Sequence, residues 1–214
     1  MADSDINGLT QATTNYVDET DELIVQKSGE ADAKKVQVND LFGGWRDMIA
    51  PLVGARLGGV TDPVFAPFGP SGGIKAFKFG IGDELFLTMH VDHDMKQSAT
   101  MYPHVHWATD GINTGNVQWE IEYMIAAGHD QANFGAPSII TVEQAAAGTA
   151  WRHMVTEDAV GVATPEPDSL ILVHVTRIAA STNECTDDVF GLTLDWHYPT
   201  QMYATKNRAP NFYV

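Results

Sequence analysis

The clearest pattern of apolar and polar positions lies between residues 101 and 126, MYPHVHWATDGINTGNVQWEIEYMIA. In its second half Val117, Trp119, Ile121, Tyr123 and Ile125 alternate with Gln118, Glu120, Glu122 and Met124, the period of two that marks a half-buried strand. In its first half Pro103, Val105 and Trp107 fall on one face and Tyr102, His104 and His106 on the other. Between the halves, Asp110-Gly-Ile-Asn-Thr-Gly-Asn116 is rich in turn formers. The pattern predicts a long antiparallel hairpin with an apolar inner face and a histidine-bearing outer face.

Further strand-like runs cover residues 74–79, 84–91, 138–142, 151–160, 170–177 and 189–198. With the two halves above (101–107 and 116–126) they make eight short strands separated by turn signals. That count predicts an all-β fold, an antiparallel β-sandwich of jelly-roll type. Upstream, residues 57–73 are dense in Gly and Pro and read as a linker or long surface loop. Residues 40–50 carry Leu41, Trp45, Met48 and Ile49 between Asn39 and Pro51, which predicts a short capped helix. Two β-rich runs at 21–26 and 34–38 flank a Gly-containing turn and predict a small hairpin. Such a hairpin needs a surface to rest on, so Leu23, Ile24, Val25, Val36, Val38 and the adjoining Leu41 are candidate attachment residues. The expected organisation is an acidic arm and attachment hairpin over 1–42, a short helix and Gly/Pro-rich linker over 43–73, and a sandwich knob over 74–214.

Composition narrows the function. The chain has 214 residues, 44% of them hydrophobic, and no run approaches the ~20 apolar residues of a membrane span. Its start is acidic and polar, unlike a secretory signal, so a soluble protein with no membrane partner is expected. The net charge of −16, from 28 acidic against 12 basic residues, repels phosphate backbones and argues against a nucleic-acid partner. Within residues 1–32, Asp3, Asp5, Asp18, Glu19, Asp21, Glu22, Glu30 and Asp32 face Lys27 alone, which marks a solvated or docking arm. The single cysteine, Cys185, excludes an intrachain disulfide and fits a reducing compartment. No base lies near it in the sequence, so a structural role is expected.

Candidate chemistry centres on histidine. His104 and His106 sit two apart on a strand, so both imidazoles can reach one cation. Asp110 is the nearest following acid. The three are weak metal candidates, because a zinc or iron centre wants three firm ligands. The histidine pair followed by an acid is similar to the arrangement of cupin-type enzymes, but Ser98 stands where their glycine is expected. A second cluster, Met89-His-Val-Asp-His-Asp94, brings four of the eight histidines within 17 residues. His197 shares a face with Thr193 and Asp195, opposite Phe190, Leu192, Leu194, Trp196 and Tyr198. Tyr102, His104, His106 and His197 thus form a mixed polar face suited to a subunit interface. GxSxG, Walker, HExxH and GxGxxG motifs are absent. No catalytic residue and no cofactor is assigned.

Several segments together resemble a group of tailed-bacteriophage and prophage virion proteins over about residues 43 to 213. They are GGWRDMIAPL, His90-Val-Asp-His-Asp94, Tyr102-Pro-His-Val-His-Trp-Ala-Thr-Asp-Gly111, Asn113-Thr-Gly-Asn116, Glu143-Gln-Ala-Ala146, Glu166-Pro-Asp-Ser-Leu170 and Ala204-Thr-Lys-Asn-Arg-Ala-Pro-Asn-Phe-Tyr213. The run DELIVQKSGEADAKKVQVNDL is similar to particle-attachment segments at the start of phage tail fibres. The resemblance implies a structural protein of the virion, assembled in the host cytoplasm, rather than an enzyme. An exterior capsid decoration or cement protein, homotrimeric and docked on the major capsid protein or other virion proteins, is the leading expectation. The alternatives are a tail or head fibre component that binds a host receptor or glycan through Phe134 or Trp151, and a metal-dependent sandwich enzyme using His104 and His106.

Overall fold

The computed structural model describes residues 22–25, 34–37, 43–71, 73–201 and 208. The chain divides after Gly43 into two compact units. In the first, β1 (Glu22–Val25) and β2 (Lys34–Gln37) form a two-stranded antiparallel sheet of their own, with Leu23 opposite Val36. Val38 and Leu41 lie outside the described residues.

The second unit contains β3 (Gly44–Pro51), β4 (Val64–Phe68), β5 (Ile74–Phe79), β6 (Glu84–His90), β7 (Thr100–Thr109), β8 (Asn116–Ala127), β9 (Ser138–Ala145), β10 (Met154–Glu157), β11 (Val162–Ala163), β12 (Ser169–Ile178) and β13 (Val189–Thr200). A larger sheet has the order β10-β7-β13-β5-β4, with β11 also on β7 and β3 also on β13. A smaller sheet has the order β6-β12-β8-β9. Every pairing between these strands is antiparallel. First and last of the eight main strands, β5 and β13, are neighbours, as are the second and second-last, β6 and β12. This wrapping is a jelly roll.

Alternation builds the core. Val105, Trp107, Val117, Trp119, Ile121, Val173, Val175, Leu194 and Trp196 are buried between the sheets. Two edge-to-face aromatic pairs join the layers: Phe79 with Trp119 at 5.1 Å between ring centroids, and Trp196 with Tyr123 at 5.3 Å. Such pairs add to the gain from burying their area alone. Gly191 is closely covered from within its own sheet, since a Cβ there would stand 2.7 Å from Leu52 Cδ1 and from the ring of Phe79 on the neighbouring β5. At one end of the sandwich the buried Arg177 donates to Phe79 O at 2.7 Å and to Glu184 Oε1 at 2.7 Å. Cys185 is buried beside it, and desolvation pushes its thiol pKa up, as suits a packing residue rather than a nucleophile.

Three sequence expectations are corrected. The stretch 101–126 is not a hairpin: β7 belongs to the larger sheet and β8 to the smaller, and residues 110–115 cross between them. Both strands turn their apolar faces to one core, so the alternation is the same for an arch as for a hairpin. The crossing is held by the 182–188 loop, through Asn113 N to Asp187 Oδ2 at 2.7 Å and Asn116 N to Asn183 O at 2.7 Å. Residues 44–51 are strand β3, not a helix, and pair with β13 from Thr193 to Thr200. From Asp47 onward the strand alternates, with Met48 and Ala50 buried and Asp47, Ile49 and Pro51 exposed, a period of two that the paired edge of β13 selects over local propensity. The Gly/Pro-rich stretch supplies β4, an edge strand whose Pro67 needs no ladder partner on its open side. Residues 44–73 are therefore part of the sandwich unit. Among the described residues no helix is long and apolar enough to cross a membrane.

Candidate functional site

The outer face of the larger sheet carries a ladder of polar side chains. Strand pairing sets three rows: Asp47, His197 and Tyr102; then Ile49, Asp195, His104 and Glu157; then Pro51, Thr193, His106 and Val155. One irregularity makes these rows possible. Gly191 pairs with Trp107, but Thr193 pairs with His106, so β13 holds one extra residue, Leu192. A bulge of this kind reverses the facing of everything beyond it. It sends Leu194, Trp196 and Tyr198 into the core and Asp195 and His197 to the histidine face. It also corrects the expectation for Phe190, which lies on the outer side against Phe68 and Trp151, with ring centroids at 5.3 and 5.6 Å.

The side chains form two layers. In the lower one, His104 is 1% exposed and Asp195 6%. Asp195 Oδ2 lies 3.9 Å from His104 Nε2 and 3.2 Å from His106 Nε2. His104 Nδ1 is 3.3 Å from Tyr102 O, so it carries the proton and donates, leaving Nε2 as a lone pair. His106 Nδ1 stands 2.6 Å from His153 Nε2. In the upper layer, His197 reaches across β7: its Nε2 is 2.8 Å from Asp47 Oδ1 on β3, and its Nδ1 is hydrogen-bonded to Glu157 Oε2 on β10. The ring therefore lies over His104, 4.0 Å between centroids and 29° between planes, and this strap is what buries His104.

Burial sets the charge of the lower layer. Desolvation lowers the His104 pKa against the opposing hydrogen bond to Tyr102. Desolvation, then His104 and His153, bring His106 down to about 4. Desolvation, then Asp47, raise Asp195 to about 6. Two neutral imidazoles and one acid whose ionised form is disfavoured thus share a small dry space.

The remaining histidines join two other acid clusters. His90, His93 and His129 point Nε2 at the Asp168 carboxylate, at 3.4, 3.0 and 2.8 Å. His174 stands between Glu84 and Glu122 on the outer face of the smaller sheet and stacks on Phe86 at 4.7 Å. A groove of about 390 Å³ beside it is lined by Phe86, Met124, Pro137, Leu172 and Glu122 among others. All eight histidines of the chain face carboxylates or one another.

Of the residues singled out from sequence, the structure brings His104, His106 and His197 together with Tyr102 alongside. Asp110 is not with them: its Oδ1 accepts from Asp188 N at 3.0 Å where β7 meets the crossing loop. Its place beside His104 and His106 is taken by Asp195. His104 is too deeply covered to touch another subunit, whereas Tyr102, His106 and His197 are partly exposed. Leu23, Ile24 and Val25 fall in β1 and Val36 in β2. Phe134 is exposed, but Trp151 is packed between Phe68 and Phe190. Asp47, His153, Glu157 and Asp195 were not foreseen as site residues. The shared face of Asp195 and His197 was legible, but not that β13 would lie beside β7.

The class defined by this geometry is an antiparallel jelly roll with a histidine–carboxylate outer face. No protein-family model and no curated protein matches the chain. Among solved structures it is similar to the CBM35 module of Cellvibrio japonicus Abf62, at 11% identity and a TM-score of 0.37, covering 77% of this chain and 99% of that one. It is also similar to an arabinose-bound MgGH51 α-L-arabinofuranosidase, at 12% identity and a TM-score of 0.26, covering 71% of this chain and 23% of that one. Likenesses at these scores carry no functional argument.

Proposed function

We propose that the chain is a structural protein of a tailed-phage virion, an exterior capsid decoration or cement protein. It attaches through its first 42 residues to the major capsid protein or another virion protein and displays the jelly roll. The observation that carries this reading is the division after Gly43. A two-stranded sheet with four-residue strands buries too little to be stable by itself and needs a surface, whereas the unit from Gly44 onward has a core of its own. The sequence resemblance supports a virion as the source of that surface. A homotrimer belongs to the same reading, with partly exposed Tyr102 and His197 and exposed Trp45 and Ile49 at the subunit contact. Deleting residues 1–42 is expected to abolish incorporation into particles and to leave a soluble oligomer with unchanged thermal unfolding. Normal incorporation of the shortened chain would overturn the reading.

A second reading, a fibre component that binds a host glycan, is favoured by the groove on the smaller sheet. There the stacked Phe86–His174 pair is flanked by Glu84 and Glu122. Copy number separates the two: a cement protein follows the stoichiometry of the capsid lattice, and a fibre component that of the tail.

A further inference from the structure

The lower layer of the histidine face has an unmet chemical demand. Asp195 Oδ1 and His106 Nε2 are buried without a hydrogen-bond partner. His106 Nε2 is near Asp195 Oδ2 but out of line for a hydrogen bond. Buried polar atoms left unpaired cost free energy and call for an explanation such as an ion. The other histidine clusters make no such demand, because Asp168 accepts from His93 and His129, and both nitrogens of His174 are paired with Glu84 and Glu122.

We infer that His104 Nε2, His106 Nε2 and the Asp195 carboxylate form a binding site for one divalent transition-metal ion, which ties β7 to β13 beneath the His197 strap. One donor atom from each of the three residues lies within 4.8 Å of the others. Two ligands of a tetrahedral centre with bonds of about 2.1 Å stand roughly 3.4 Å apart. The separations of 3.2 and 3.9 Å from Asp195 Oδ2 to the two imidazoles bracket that value.

The surroundings fit as well. A metal-bound imidazole donates its other ring N–H to a fixed acceptor, and His104 Nδ1 does so to Tyr102 O. For His106 the corresponding partner is His153 Nε2, 2.6 Å from Nδ1, which accepts the Nδ1–H in the tautomer that leaves His106 Nε2 as the ligand. Two imidazoles and one carboxylate select a zinc-, iron- or cobalt-like ion over calcium or magnesium. An overlapping group, Asp47, His104 and His197, is the weaker candidate because Asp47 and His197 already satisfy each other at 2.8 Å. Three protein ligands would leave the fourth position of such an ion to water. The site is independent of the virion reading.

The test titrates the metal-stripped full chain with Co²⁺, follows visible absorption, and then displaces Co²⁺ with Zn²⁺. One equivalent is expected to bind. His106→Gln and Asp195→Asn should weaken binding at least about tenfold, in line with the sensitivity of metal sites to their ligand shell. His129→Gln and His174→Gln should leave it unchanged. Because Asp195 is buried, a readout on the wild type stands beside the variants: Zn²⁺ should shift the ring NMR signals of His104 and His106, but not those of His129 or His174. A wild-type affinity weaker than about 1 mM would overturn the inference. So would binding that survives His106→Gln, or Zn²⁺-dependent shifts confined to the other histidines.

Discussion

Asp195 stands across the sheet from His104 because β13 carries one more residue than β7 between Gly191 and Thr193. Without that bulge the pairing would continue in the register of Val189 with Thr109, and Trp196 would face outward beside the histidines while Asp195 entered the core. Strand register is strongly specified where one face is buried, since a slip by one residue turns every side chain over.

Deleting Leu192 is therefore expected to leave no soluble folded protein, because Leu194, Trp196 and Tyr198 cannot all stay in the core. Leu192→Ala keeps the residue count and should retain cooperative unfolding. Circular dichroism and gel filtration of the two variants check this. A deletion variant with a wild-type unfolding midpoint would show that the bulge does not set the facing of β13.

The arch between β7 and β8 makes a second prediction at Gly115. A Cβ added there would meet the carbonyl oxygens of Asn183 and Glu184 at 2.6 Å. Both are backbone atoms of the loop that receives the crossing, so relief requires moving that loop, and overpacking of this kind costs about 1–3 kcal/mol. Urea denaturation of Gly115→Ala should show a loss in that range. A change within about 0.5 kcal/mol, the ordinary surface value, would mean that the crossing is loosely held.

Much of the sandwich was legible because alternation reports which side of a strand is buried. Val117, Trp119 and Ile121 face the core, as their spacing requires. Alternation does not report which strand lies alongside. A hairpin and an arch between two sheets give the same pattern over residues 101–126, and only long-range pairing tells them apart. The same gap hid the site. Asp110 is close to His106 in sequence yet is spent on Asp188, while Asp195 reaches the histidines through pairing of distant strands. Trp45, Met48 and Ile49 share a face only at helical spacing, whereas the strand formed on the edge of β13 buries Met48 and leaves Trp45 and Ile49 exposed. Phe190 was misplaced because a bulge leaves no mark in a period-two count.

The two interlayer aromatic pairs predict an energetic coupling across the core. Phe79→Leu and Trp119→Leu should each be destabilising, the tryptophan change by up to the roughly 3–5 kcal/mol seen for large aromatic truncations. Edge-to-face pairs are worth about 0.5–1.5 kcal/mol beyond area burial, so the double variant should be less destabilised than the sum of the singles by that amount. Denaturant midpoints for the four members of the cycle measure it. Strict additivity would show that the Phe79–Trp119 geometry contributes only buried area.

Glu84 gives the pH dependence. The backbone N–H of Val60 is the strongest influence on its carboxylate and lowers its pKa; burial opposes this, and His174 reinforces it, leaving the folded pKa below the ordinary carboxylate range. A depressed folded pKa means that the native state favours the ionised form. Its contribution is therefore present above the unfolded carboxylate pKa and is lost as pH falls through the lower folded value. Glu84→Gln should reduce stability at pH 7 by about 1–3 kcal/mol, the cost of losing hydrogen bonds to a charged group. It should also flatten the fall in stability on the acid side of pH 5, because the variant has no proton to gain there. Urea unfolding at pH 7, 5 and 3.5 separates the two effects. If wild type and Glu84→Gln lose stability in parallel between pH 5 and 3.5, the ionised form of Glu84 is not what the acid limb reports.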